Sequence, residues 1–231
     1  MLVESLIKAT VDMQGFRVKS VTGDTSDLVA EVVADRRYAP RCGECGKPAN
    51  YRDTRLARYF GHVPLWGIRV RLRYRPRRVS CRNCGGVRVE RLPWAAGKQR
   101  FTRELMVTLA RWSRALPWQQ VAKLFGCAWG TVAAAVEEAV AYGLSHRDLG
   151  ELTHVGIDEI SRKRGHVYVS NVYDLITKRL IWSGEGRSED TLNACFDFLG
   201  PERVTKLQGI CCDMWQRYIN VIKVRAPQAV L

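Results

Sequence analysis

Two cysteine pairs of the same form stand 35 residues apart, Cys42-Gly43-Glu44-Cys45-Gly46 and Cys81-Arg82-Asn83-Cys84-Gly85. Tetrahedral zinc takes four soft ligands, and two residues between cysteines let one tight turn present both thiolates to the same metal. The glycine after each second cysteine supplies the positive φ that such a turn needs. One pair alone could be two buried cysteines or a redox couple. Two pairs with matching glycines point to a structural zinc on Cys42, Cys45, Cys81 and Cys84, since four thiolates leave no open position for water. Cys195, Cys211 and Cys212 have no matching His or Cys spacing and read as core or structural thiols.

A second kind of chemistry is available to Asp158 and Asp213. Residues 155–160, 167–173 and 179–182 read as three strands, 188–199 as a helix with Ser188 as N-cap, 204–212 as a strand, and 215–224 as a helix. Three strands, helix, strand, helix is the order of a ribonuclease-H-like fold. There the first strand pairs in parallel with the strand after the helix, which brings Asp158 and Asp213 together. Paired carboxylates offer the hard oxygen ligands that hold two magnesium ions for phosphoryl transfer. An aspartate after a strand is also a common turn or N-cap residue, and Asp174, Asp190 and Asp197 read as turn and helix-surface residues.

The elements ahead of these acids are strongly basic. Net charge is +14, and between Asp35 and Arg103 stand 19 basic and 4 acidic residues, more than the whole excess. Such a block suits a polyanion. Residues 56–66 and 68–75 form an expected hairpin around Gly67. Its second strand puts Arg69, Arg71, Arg73 and Arg75 on one face, with Val70, Leu72 and Tyr74 on the other. A charge run is often a solvated strand face. Four arginines with few acids nearby call for a counter-anion, which favours contact with DNA phosphates.

Residues 119–136 fit a helix-turn-helix without gaps. Ala122 sits where the two helices touch, Gly126 opens the turn and Val132 packs the second helix back on the first. Trp129 and Thr131, near the start of the second helix, would then face the major groove. A helical hairpin within a bundle would show the same residue types.

These signals divide the chain into an N-terminal strand and four-cysteine unit (1–97), a helix-turn-helix unit (98–146) and a partial ribonuclease-H-like unit (153–231). The fold class is multidomain α+β. No apolar run approaches the length needed to span a bilayer, and Glu4 and Lys8 interrupt any secretory leader. A bacterial cytoplasmic, nucleoid-associated protein is expected.

The combination resembles the transposases of the ISL-three insertion-sequence family. The resemblance rests on the paired knuckles, the helix-turn-helix, and the blocks Val155-Gly156-Ile157-Asp158-Glu159, Lys163-Arg164-Gly165-His166, Gly186-Arg187-Ser188 and Cys212-Asp213-Met214. It implies a DDE-type enzyme whose zinc-bearing N-terminal half recognises terminal inverted repeats in double-stranded DNA. Asp158 and Asp213 match its first two catalytic acids, and a homodimer on paired DNA ends is expected. The family's third carboxylate has no counterpart, because no acid follows Asp213. The chain is therefore expected to be C-terminally truncated, and the alternative function is a non-catalytic DNA-binding repressor of transposition or transcription.

Overall fold

Alternating apolar and charged residues suit a strand that buries one face, and residues 68–74 form such a strand in the computed structural model, which describes residues 3–163 and 167–231. The chain divides into two compact units, residues 1–146 and 147–231. In the first, the elements run α1 (Val3–Thr10), β1 (Phe16–Gly23), β2 (Asp27–Ala34), β3 (Asn50–Thr54), β4 (Arg58–Leu65), β5 (Ile68–Tyr74), β6 (Arg77–Ser80), β7 (Val87–Val89), α2 (Arg103–Trp112), α3 (Trp118–Phe125) and α4 (Trp129–His146).

One sheet has the order β1-β2-β5-β4, with β2 and β5 parallel and the other neighbours antiparallel. The β4–β5 hairpin closes on Trp66 and Gly67, both left-handed, as a two-residue turn between twisted strands requires. Phe60, Val70, Leu72, Tyr74 and Trp94 lie in the core of this sheet with Ile7 of α1. The rings of Phe16, Phe60 and Tyr74 meet Trp94 edge-on at 4.8–6.0 Å, the arrangement that aromatic quadrupoles prefer. The sequence pattern assigned only strands to residues 1–34. The structure places a helix first, because Val3, Ile7 and Val11 recur at helical spacing and Ile7 and Val11 are buried.

A second, three-stranded sheet of order β3-β6-β7 carries the cysteine loops, one ahead of β3 and the other joining β6 to β7. Helices α2, α3 and α4 pack around Leu105, Leu109, Val121, Ala122, Val132 and Ala135. Thr102 caps α2 by accepting from the Leu105 N–H. Gly126 ends α3 at φ 60°, and the chain turns through 111° between α3 and α4. Helix α4 runs past Gly143 to His146, and its Ala139 and Val140 are exposed. Among the described residues no single helix is long and apolar enough to cross a membrane.

The second unit contains β8 (His154–Lys163), β9 (Val167–Asp174), β10 (Leu180–Glu185), α5 (Glu189–Leu199), α6 (Pro201–Val204), β11 (Gly209–Cys211) and α7 (Gln216–Arg225). Its sheet has the order β10-β9-β8-β11, antiparallel except for the parallel pair β8 and β11. Val155, Ile157, Val172 and Ile181 of the strands share a core with Leu192 and Phe196 of α5 and Tyr218 and Ile222 of α7. Ser188 caps α5 through a bond from the Thr191 N–H at 3.2 Å. The strand expected from residue 204 begins only at Gly209, since Pro201 starts a short helical turn instead. The turn expected at Lys163-Arg164-Gly165, and most of the block through His166, lies outside the described residues.

Candidate functional site

The four knuckle cysteines converge. Their sulfur atoms all lie within 4.8 Å of one another, with Cys42 Sγ 3.9 Å from Cys84 Sγ and Cys45 Sγ 3.6 Å from Cys81 Sγ. Zinc–sulfur bonds of about 2.3 Å in a tetrahedron set sulfurs about 3.8 Å apart, so the donor set fits a thiophilic tetrahedral cation. Backbone geometry fixes the cage. Gly46 (φ 70°) donates to the Cys42 carbonyl, the Cys81 N–H bonds the Gly86 carbonyl, and Gly85 is left-handed at φ 63°. The backbone N–H of Lys47 lowers the Cys45 thiol, while the packed sulfurs, Cys45 first, push Cys84 up to about 12. Four sulfurs gathered this closely form a donor set compatible with zinc.

The arginine row has internal partners. Asp27 and Glu31 on β2 stand in register with Arg69 and Arg73 on the parallel β5. Arg73 Nη1 donates to Glu31 at 2.6 Å, Arg71 forms an ion pair with Asp27, and Arg69 Nε lies 3.9 Å from Asp27. The sequence argument for an unbalanced row counted acids only near it in the chain. The two that matter come from residues 27 and 31, delivered by strand pairing. Arg77 is structural as well. It grips Glu90, whose side chain is 1% exposed, and Tyr74 Oη donates to the same carboxylate at 2.6 Å. Arg75 lies past the end of β5, exposed and with no acid partner among the described residues.

At the α3–α4 corner, Ala122 and Val132 are buried, and the Gly126 and Cys127 N–H groups satisfy carbonyls at the end of α3. Trp129 opens α4, 55% exposed, with its ring 5.7 Å from that of Trp118; Thr131 is half-buried beside it.

In the second unit, β8 and β11 align Gly156 with Cys211. Asp158 lies two residues further along β8, and Asp213 lies two residues past Cys211, just beyond the end of β11. Both carboxylates line one open cavity of about 510 Å³ at the C-terminal end of β11, with Gly156, Leu175 and Cys211. Asp158 is exposed and has no hydrogen bond among the described residues, while Asp213 Oδ1 accepts the Met214 N–H at 2.7 Å. Asp174 also reaches this cavity, but its carboxylate caps the following turn through Ile176 and Thr177, which lower its pKa. Pattern reading overlooked two neighbours. Arg187 lies between the rings of Trp215 and Tyr168, with Nη2 3.9 Å from Asp213 Oδ2. Glu159 is raised above the usual carboxylate range, first by burial, with Asp213 and Asp158 adding to the rise and Arg187 opposing it. A charged residue alternating into an otherwise apolar strand face was the available signal for Glu159.

Residues 155–231 match a family described as transposase, the DDE type of the ISL3 group. The chain is 28% identical over 231 residues to the transposase for insertion sequence element IS1001 of Bordetella parapertussis, covering 99% of this chain and 57% of that protein. It is 32% identical over 210 residues to the transposase for insertion sequence element IS1557 of Mycobacterium tuberculosis, covering 90% of this chain and 47% of that protein. The second unit is thus similar to the ISL3-type transposases over residues 155–231, and the chain as a whole is similar to insertion-sequence transposases. It spans about half the length of the curated relatives that it matches.

Proposed function

We propose that this protein binds the terminal repeats of an insertion sequence and supplies two of the carboxylates that perform phosphoryl transfer on that DNA. The first unit is the recognition part: a zinc-ribbon-like knuckle pair and a helix-turn-helix whose α4 enters the major groove through Trp129 and Thr131. The buried Ala122 and Val132, the left-handed Gly126 and the 111° turn support the second assignment. Zinc on Cys42, Cys45, Cys81 and Cys84 is structural, because its four ligands close the site.

The second unit is the ribonuclease-H-like part. The observation that supports the reading is that Asp158 on β8 and Asp213, two residues past the end of the parallel β11, both line one cavity. These exposed oxygens suit magnesium. When bound, such ions activate an attacking oxygen and stabilise the leaving one at a phosphodiester. Asp158 and Asp213 hold the ligand oxygens in place, and Arg187 anchors Asp213 from its aromatic slot. A homodimer holding two DNA ends, working in the bacterial cytoplasm, completes the proposal.

The test uses the zinc-loaded chain and DNA carrying the terminal repeats of its own element. Retarded migration of that DNA is expected and, once the third carboxylate is supplied, magnesium-dependent nicking that Asp158→Asn and Asp213→Asn abolish while binding persists. Nicking that survives both substitutions would contradict the assignment of the acids.

A further inference from the structure

The first unit holds a second basic feature, which shares only Arg75 with the arginine row. Arg55, Arg58, Arg75, Arg78, Lys98 and Arg100 line an open groove of about 980 Å³. The one acid in its wall, Asp53, is engaged by Arg78, whose Nε donates to it at 2.6 Å. Arg55, Arg75, Lys98 and Arg100 are exposed and have no ion-pair partner among the described residues. Arg58 is held below the usual guanidinium range first by burial and then by the like charges of Arg100 and Arg55. Arg58 itself is structural, since it donates to the Lys98 and Gln99 carbonyls and lies over the Phe60 ring.

We propose that this groove seats a stretch of the DNA sugar–phosphate backbone beside the bases read by α4. The inference rests on the DNA-binding reading above and names a subsite for it. Uncompensated cations gathered in one concave wall gain most from a polyanion that releases its own counterions on binding. Position supports a single continuous DNA footprint. The groove segment 98–100 is tied to α4, where Gln99 Nε2 donates to Glu138 at 3.0 Å. Glu138 lies nine residues beyond Trp129, about 13 Å along the helix, well inside the roughly 34 Å of one duplex turn. The paired Arg71 and Arg73 already have carboxylate partners and contribute little to such a contact.

The experiment measures affinity of the zinc-loaded full chain for terminal-repeat duplex at several salt concentrations. The variants are Arg55→Ala/Arg75→Ala/Arg100→Ala, the same triple with Lys, and Arg71→Ala/Arg73→Ala. Three lost phosphate contacts flatten the log–log salt slope by about 2.7, so the wild-type advantage shrinks roughly 40-fold between 50 and 200 mM salt. The ratio of repeat to unrelated duplex should stay constant, because backbone contacts carry no base information. The lysine triple keeps most of the slope and shows that charge is the cause, while the Arg71/Arg73 variant changes it little. An unchanged slope in the alanine triple, with wild-type binding intact, overturns the groove and leaves DNA recognition standing. Equal flattening in the Arg71/Arg73 variant, or stronger competition by RNA than by duplex DNA, also overturns it. A wild-type chain that binds no duplex overturns both readings.

Discussion

The four-cysteine cage of the first unit and the exposed aspartates of the second differ in almost every physical respect. The four sulfurs of the first unit lie in backbone-braced loops, mutually in contact, with Cys42 and Cys81 buried. The two carboxylates of the second unit stand exposed on an open cavity, with Arg187 as the nearest cation to one of them. A closed soft site can hold structure together and little else, whereas an open hard site leaves room for substrate oxygens. The contrast predicts that perturbing the first costs stability and perturbing the second costs chemistry.

The largest expected effect comes from the sulfur cage. Structural zinc contributes about 10–16 kcal/mol in small zinc-binding peptides, as much as the whole net stability of a typical domain. Chelation, or Cys42→Ser, should therefore unfold the knuckle region; thermal scans and metal analysis would show a collapsed first transition and loss of about one zinc per chain. A stable, zinc-free Cys42→Ser protein would break the comparison.

Next comes Glu90, the buried acid beneath the basic surface. Glu90→Ala strands Arg77 and Tyr74 without their partner and should cost about 3 kcal/mol in denaturant titration. Burial and the Glu90 carboxylate already hold the Tyr74 hydroxyl far above its ordinary range.

His62 gives a comparable effect that depends on pH. It is buried, and its ring links α1 to the start of α2, with Nε2 3.2 Å from Thr10 Oγ1 and Nδ1 2.9 Å from Thr102 Oγ1. The Thr10 hydroxyl is committed to the Leu6 and Ile7 carbonyls, so the neutral ring donates from Nε2 and accepts at Nδ1. Burial lowers its pKa from 6.5 to about 4. The unfolded chain then binds the extra proton between those values, so stability is lost as pH falls from 6.5 towards 4, by up to roughly 3 kcal/mol. Stability curves at pH 7 and pH 4.5 should separate for wild type and converge for His62→Gln. The smallest effect on folding should come from Asp158→Asn, within about 0.5 kcal/mol, because that carboxylate is exposed and has no hydrogen bond among the described residues.

What was legible in the sequence follows from how local each feature is. The knuckles are written in five-residue words, and the structure brings their sulfurs together. The strand order of residues 154–211 and the parallel pairing of β8 with β11 were legible, because they depend on local period-two pattern and one crossover helix. The partners of Arg71 and Arg73 were not legible. Asp27 and Glu31 lie more than 40 residues away, and only the parallel register of β2 with β5 delivers them. His62 and Glu90 are single polar residues in otherwise ordinary strand pattern, and nothing periodic announces that they are buried. Helix α1 carried its signal in the spacing of Val3, Ile7 and Val11, which an alternating reading of the same segment hides.

On the proposed function, the open acidic cavity, and not the cysteine cage, takes the ions used for phosphoryl transfer. Manganese titration of the zinc-loaded chain, followed by its paramagnetic resonance signal, tests it most directly. Binding in wild type that is abolished in both Asp158→Asn and Asp213→Asn, with zinc content constant at about one per chain, is the predicted result. Manganese binding indifferent to both substitutions would contradict it.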